Sequence, residues 1–177
     1  MEQQKKPIPS VESRLRHQIL EMPKEIRRAS GIAIYGRRIK SLVFTTDLAI
    51  IKNCDADAVF AVYPFTPQQS ISDAIIKASY IPVFCGVGGG TTRGLRTIAL
   101  AKNVESQGAM RVVLNAPIDN LILMAVANAV DIPVIVTVVD EKTDIGGRIE
   151  AGANAITDTP PTARELFKTM MNRYREE

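Results

Sequence analysis

Gly86-Val-Gly-Gly-Gly-Thr-Thr-Arg93 is the stretch whose residue types best suit chemistry. Glycines let backbone N–H groups approach a ligand closely, and a helix starting near Thr92 would add its positive dipole end. Arg93 would supply a guanidinium fork for an anionic group. The stretch departs from both phosphate-binding signatures: no Gly-Lys-Ser/Thr follows, and the third glycine of G-x-G-x-x-G falls on Thr91. The competing reading is that Gly86, Gly88, Gly89 and Gly90 only permit a tight strand-to-helix turn.

Aspartates supply the acid/base candidates. Asp47, Asp140 and Asp158 each stand just after an apolar run, and Asp144 follows closely. Carboxylates so placed suit proton transfer or Mg²⁺ ligation, yet an Asp that opens a helical pattern more often caps it. Asp47 and Asp144 have that reading, Asp140 a solvent-facing one, and Asp158 before Thr-Pro-Pro a turn-forming one. Thr46 and Asn115 join them at strand ends as substrate-positioning groups, and Tyr63 and Thr66 follow the second strand. Lys142 lies in Asp140-Glu-Lys-Thr-Asp144, too polar a setting for a Schiff-base lysine. Cys85 ends a strand, but the single histidine, His17, stands far upstream. A Cys-His pair is therefore disfavoured, Cys54 and Cys85 read as small buried residues, and no Ser-His-Asp set exists. We expect no metal and no cofactor. Lys24, Arg27, Arg28, Arg37, Arg38 and Lys40 form a basic cluster with Glu25 as its only acid. A solvated face is the ordinary reading, and RNA is the alternative, without an evident aromatic platform for bases.

These residues need a frame, and the chain supplies a repeat. Apolar runs begin at Ser41, Ala58, Ile81, Met110, Ile132 and Ala153, spaced as βα units with tight loops. They are apolar throughout, as strands covered on both faces should be, so a parallel sheet is expected. Ile81-Pro-Val and Ile132-Pro-Val open strands where proline loses no ladder bond. Between them, Thr66-Pro67 reads as a helix start with Ile71, Ile75 and Ala78 on one face. Thr91 or Thr92 reads as the next cap, with Leu95, Ile98, Ala99 and Ala101 buried. Thr162-Ala-Arg-Glu165 fits a capping box opening a last amphipathic helix that carries Leu166, Phe167, Met170, Met171 and Tyr174. Val11, Leu15, Ile19 and Met22 mark an N-terminal helix. Residues 1–10 read as a loose tail and 11–177 as one domain. The expected fold is α/β, a TIM-barrel-like parallel sheet of about six βα units, with a doubly wound sheet as the competitor.

Composition narrows the class. The chain has 177 residues, 46% hydrophobic and 23% charged, which excludes disorder and low complexity. Two cysteines are too few for a disulfide framework. No apolar run approaches the roughly 20 residues of a membrane helix, so a cytoplasmic protein without membrane contact is expected. A net charge of +3 does not by itself argue for nucleic acid.

Residues 32–143, with Phe44-Thr-Thr-Asp-Leu-Ala, Ala61-Val-Tyr-Pro-Phe-Thr-Pro, Gly86-Val-Gly-Gly-Gly and Val113-Leu-Asn-Ala-Pro, resemble a bacterial family labelled "hydrolase" and similar to the phosphate-binding TIM barrels. The tail from Ile149 through Glu165-Leu-Phe-Lys extends the resemblance. It implies a small phosphorylated or otherwise anionic metabolite as ligand. It also implies two further βα units, where this chain has only Ile145-Gly-Gly-Arg-Ile between Asp144 and Glu150. Six strands fall short of the eight of a TIM barrel. An engineered excision joined by Gly146-Gly147 is the leading explanation, beside a natural deletion and residues lacking from this sequence. A shortened barrel must pair the strands at 132 and 153 directly or expose sheet edges, so a homo-oligomer is expected. The resulting reading is a barrel whose relatives act on such a metabolite, a hydrolase- or lyase-type enzyme by the resemblance alone, with little or no turnover expected of this shortened chain. Its alternatives are a non-catalytic sensor that touches RNA or a partner, and an engineered barrel with no ligand function.

Overall fold

The computed structural model describes residues 19–140 and 142–158. The expected tail, His17, Thr159 and the helix from Thr162 lie outside the described residues, as does the Asp158 side chain. All six expected strands form: β3 (Leu42–Phe44), β4 (Ala58–Ala61), β5 (Val83–Gly89), β6 (Arg111–Asn115), β7 (Val134–Val138) and β8 (Ala155–Asp158). They lie side by side in chain order, every neighbouring pair parallel, as a curled half-barrel. Helices α1 (Leu48–Lys52), α2 (Gln69–Ala78), α3 (Leu95–Ser106), α4 (Asn120–Ala127) and α5 (Ile145–Glu150) make the crossovers. β7 and β8 pair directly, Ile135 with Ala155 through Val138 with Asp158, so the short Gly146-Gly147 crossover is long enough for one complete unit. β3 and β8 each have one strand neighbour among the described residues, and the sheet stays open.

Alternation splits the sheet into two faces. Val59, Cys85, Val112, Leu114, Val134 and Val136 pack outward with Ile51, Ile75, Leu100, Val104, Leu123 and Val126 of the helices. Ala58, Phe60, Phe84, Val113 and Ile135 pack on the concave side with Ile34 and Ile39. Those two isoleucines come from an element that the sequence reading did not foresee, an antiparallel hairpin of β1 (Ile32–Ile34) and β2 (Arg37–Ile39). The hairpin closes the amino-terminal end of the half-barrel. Asp57 ties it to the sheet: its Oδ2 accepts the Lys40 N–H at 2.8 Å and the Ser41 N–H at 3.0 Å. Burial works against the Asp57 carboxylate, but these bonds and Arg27 outweigh it and hold its pKa below the usual value.

Several local expectations are corrected. Of the expected N-terminal helix, Val11 and Leu15 lie outside the described residues, while Ile19 and Met22 are not helical and a 3-10 helix at Lys24–Arg28 follows. α2 starts at Gln69 rather than behind Thr66-Pro67, and its N-cap residue is Gln68. Neither Thr91 nor Thr92 caps α3: Gly94 does so at φ 67°, and the Thr92 N–H and carbonyl are spent on Gly89. That later start moves the buried face to Thr97, Leu100, Ala101 and Val104, leaving Leu95 85% exposed.

Candidate functional site

In parallel α/β folds the loops at the carboxyl ends of the strands hold the ligand. At that rim the structure opens a cavity of about 220 Å³ between the ends of β4, β5 and β6. Gly88, Gly89, Gly90, Thr91 and Asn115, all candidates from the sequence, line it, with Tyr63, Pro64, Phe65, Pro67 and Ala116 completing the wall.

The glycine run builds this cavity differently from the expected loop. Gly86, Gly88 and Gly89 are strand residues of β5, because pairing with Val113, Leu114 and Asn115 draws them into the ladder. The register slips between Gly86 and Gly88, which turns Gly88 against α3, where a Cβ would press on the Thr97 side chain. At the strand's last residue and beyond it, the N–H groups of Gly89, Gly90 and Thr92 bond to the carbonyls of Thr92, Pro117 and Gly89. The expected cradle of backbone N–H groups is thus largely spent inside the turn. Arg93 is held by it too: Nε donates to the Gly90 carbonyl at 2.7 Å, which fixes the guanidinium beside a cavity-lining residue. Tyr63 is oriented by the Gln68 N–H, which donates to its hydroxyl oxygen at 2.8 Å and leaves the phenolic proton available.

The remaining sequence candidates whose side chains are described do not line the cavity. Asp47 caps α1, Oδ1 accepting from the N–H groups of Ala49 (2.7 Å) and Ile50 (3.3 Å). Asp140 accepts the Lys142 N–H at 2.8 Å in an exposed turn. Asp144 caps α5 through the Gly147 N–H at 2.9 Å, and a Cβ on Gly147 would meet that carboxylate. Thr46 is exposed after β3, Gly86 faces Val62, and Thr92 is buried with its hydroxyl unpaired among the described residues. Asp158 closes β8. Cys85 is fully buried, and burial pushes its thiol up to about 12, so no thiolate is available for attack. Among the described residues no three His, Cys, Asp or Glu side chains gather as a metal site, and no helix is long and apolar enough to cross a membrane.

A second rim cleft of about 360 Å³ lies between the starts of α4 and α5, lined by Asp119, Asn120, Thr143, Asp144 and Arg148 beside Ile118. Sequence reading passed over Arg148, which sits in the short Gly-Gly crossover. Its NH1 donates to the Ile118 carbonyl at 2.5 Å and to Asn120 Oδ1 at 2.7 Å, stapling α5 to the β6–α4 loop.

Neither the comparison with family models nor the comparison with curated proteins returns a match. Among solved structures, the chain is similar to N-acetylneuraminate lyase from Mycoplasma synoviae, with TM-score 0.55 and 12% identity over 68% of this chain and 48% of that one. It is similar to 2,3-dimethylmalate lyase, a PEP mutase/isocitrate lyase superfamily member, with TM-score 0.54 and 15% identity over 68% and 55%. Dihydrodipicolinate synthase from Agrobacterium tumefaciens gives TM-score 0.53 and 18% identity over 69% and 49%. The chain spans about half the length of these structures. Lyases and a synthase stand here, so the "hydrolase" label carried by the sequence resemblance finds no support. At these identities the likeness shows the fold alone: a shortened TIM barrel.

Proposed function

We propose that this half-barrel binds a small anionic metabolite, phosphorylated or carboxylic, in the cavity between Tyr63, Gly89–Thr91 and Asn115, and does not turn it over. The observation that carries the reading is the chemistry of the cavity wall: Asn115, Thr91 and Tyr63 offer neutral donors, and among the described residues no carboxylate lines it. Arg93 adds positive charge at the lip. An anion entering there meets donors and, among the described residues, no like charge. Turnover is not expected because Asp47 and Asp140 are committed to a cap and a turn. The names of the similar structures, all built on small acids, support the ligand class. Calorimetric titration with inorganic phosphate, pyruvate and malonate tests this. At least one should bind, and Asn115→Ala and Arg93→Ala should each weaken it by about tenfold, the scale of one hydrogen bond to a charged group. Absence of binding at millimolar ligand overturns the reading; consumption of a bound acid that Asp47→Asn abolishes would restore an enzyme.

We further propose that a second copy covers the open edges of β3 and β8. Phe44, on the edge strand β3, is 57% exposed and offers an apolar contact beside backbone that is unpaired among the described residues. Light scattering at micromolar concentration is expected to report a dimer or larger, and a monomer there ends the idea.

A further inference from the structure

The basic cluster, which shows no aromatic platform in sequence, has an exposed aromatic residue beside it in the folded chain. Tyr35 occupies the tip of the β1–β2 hairpin, 78% exposed and two residues before Arg37, and the 3-10 helix upstream carries Lys24 and Arg28. Strand β2 is bound to that helix and its exit: Lys40 Nζ donates to the Arg27 carbonyl at 2.9 Å and Arg38 NH1 to the Ser30 carbonyl at 2.6 Å. The hairpin and the helix therefore present one surface. Arg27 is neutralised locally by Asp55 at 3.0 Å, whereas Lys24, Arg28 and Arg37 are exposed and make no ion pair among the described residues.

The backbone at the tip makes the tyrosine notable. Tyr35 has φ 46°, the one positive value among the described non-glycine residues. Two-residue hairpin turns of this kind take Asn or Asp before Gly, and a bulky residue there is strained. A ring 78% exposed and held there at a conformational cost points to a partner that takes it up. Behind the hairpin a further guanidinium lacks a counter-ion. Arg111, the first residue of β6, is only 8% exposed, lies 5.8 Å from the Phe84 ring and has no carboxylate partner among the described residues. Its Nε is buried without a hydrogen-bond acceptor among the described residues.

We propose that this hairpin face binds single-stranded nucleic acid, with Tyr35 stacking on a base while Lys24, Arg28 and Arg37 meet the phosphates. The surface lies at the opposite end of the sheet from the rim cavity and stands independently of the metabolite reading. Stacking accepts every base, and phosphate contacts carry no sequence information, so binding without sequence preference and with strong salt dependence is expected.

Fluorescence anisotropy of the full chain with labelled oligouridylate and oligothymidylate of equal length tests this over a salt series. Tyr35→Asn is the decisive variant, because asparagine suits the positive φ and keeps the fold while removing the ring. We expect it to lose roughly tenfold in affinity or more, with Tyr35→Phe retaining wild-type binding. Arg37→Ala should weaken binding to all oligonucleotides alike and flatten the salt dependence by a little under one counterion. A preference for oligouridylate over oligothymidylate would assign the partner as RNA; equal binding would assign single strands of either kind. The proposal fails if Tyr35→Asn binds as tightly as wild type. It fails equally if heparin or vesicles of anionic lipid are bound as tightly as the oligonucleotides, since bare charge would then suffice.

Discussion

Gly89→Ala is expected to destabilise the chain by about 3 kcal/mol, and Gly90→Ala by only about 1 kcal/mol. The two glycines are adjacent and both have positive φ, 108° and 61°. Their surroundings differ. A Cβ on Gly90 would meet nothing within 4 Å, so alanine there incurs only the left-handed backbone penalty. A Cβ on Gly89 would overlap the Asn115 carbonyl and crowd its amide nitrogen. The strands cannot separate to relieve this, since Gly89 is in register with Asn115 and its N–H is bonded to the Thr92 carbonyl at 2.9 Å. Urea unfolding with unchanged m-values measures both costs. Because Asn115 lines the rim cavity, Gly89→Ala should also weaken anion binding, and Gly90→Ala should leave it closer to wild type. Equal costs at the two positions would mean that β5 does not run through the glycines.

That contrast marks where sequence reading reached its limit. The six strands were legible because a strand buried on both faces must be apolar throughout, and the runs at Ala58, Ile132 and the others are. Capping at Asp47 and Asp144 was legible too, since a short acceptor before a helix acts on N–H groups two or three residues away. The glycine run was not. Glycine carries no hydrophobic pattern, and what recruits Gly86–Gly89 into the sheet is pairing with Val113–Asn115, more than twenty residues distant. The hairpin escaped for a related reason: strands of three residues are too short to display alternation, and Arg37-Arg38 reads as a charge run until Ile39 is seen against Phe60 and Phe84. The cavity depends on three loops meeting, so Tyr63 and Asn115 could be nominated as strand-end residues but not joined. Arg148 had no signal of its own, because its acceptors lie on another loop.

Phe84→Ala should be the costliest single change, about 3–5 kcal/mol, which would consume much of the 5–15 kcal/mol typical of a folded domain. Phe84 is fully buried and meets Phe60 edge to face at 6.2 Å, and Phe60 in turn stacks on Phe44 at 4.5 Å. Removing the ring would empty the centre of the concave face and leave the Arg111 guanidinium facing a cavity instead of a π surface. Phe44 belongs to the same aromatic row but stands at the open edge, so Phe44→Ala should cost about 1 kcal/mol. The comparison between the two tests what closes an incomplete barrel. In a full ring the strands themselves would seal the interior; here Ile34 and Ile39 of the hairpin do so from below. If the hairpin is a fixed lid, it cannot move into the void and the Phe84 cost stays near the upper figure. If urea unfolding gives Phe84→Ala no more than the Phe44→Ala loss, the concave face is not held shut by the hairpin, and the half-barrel owes its stability to the helix-covered face alone.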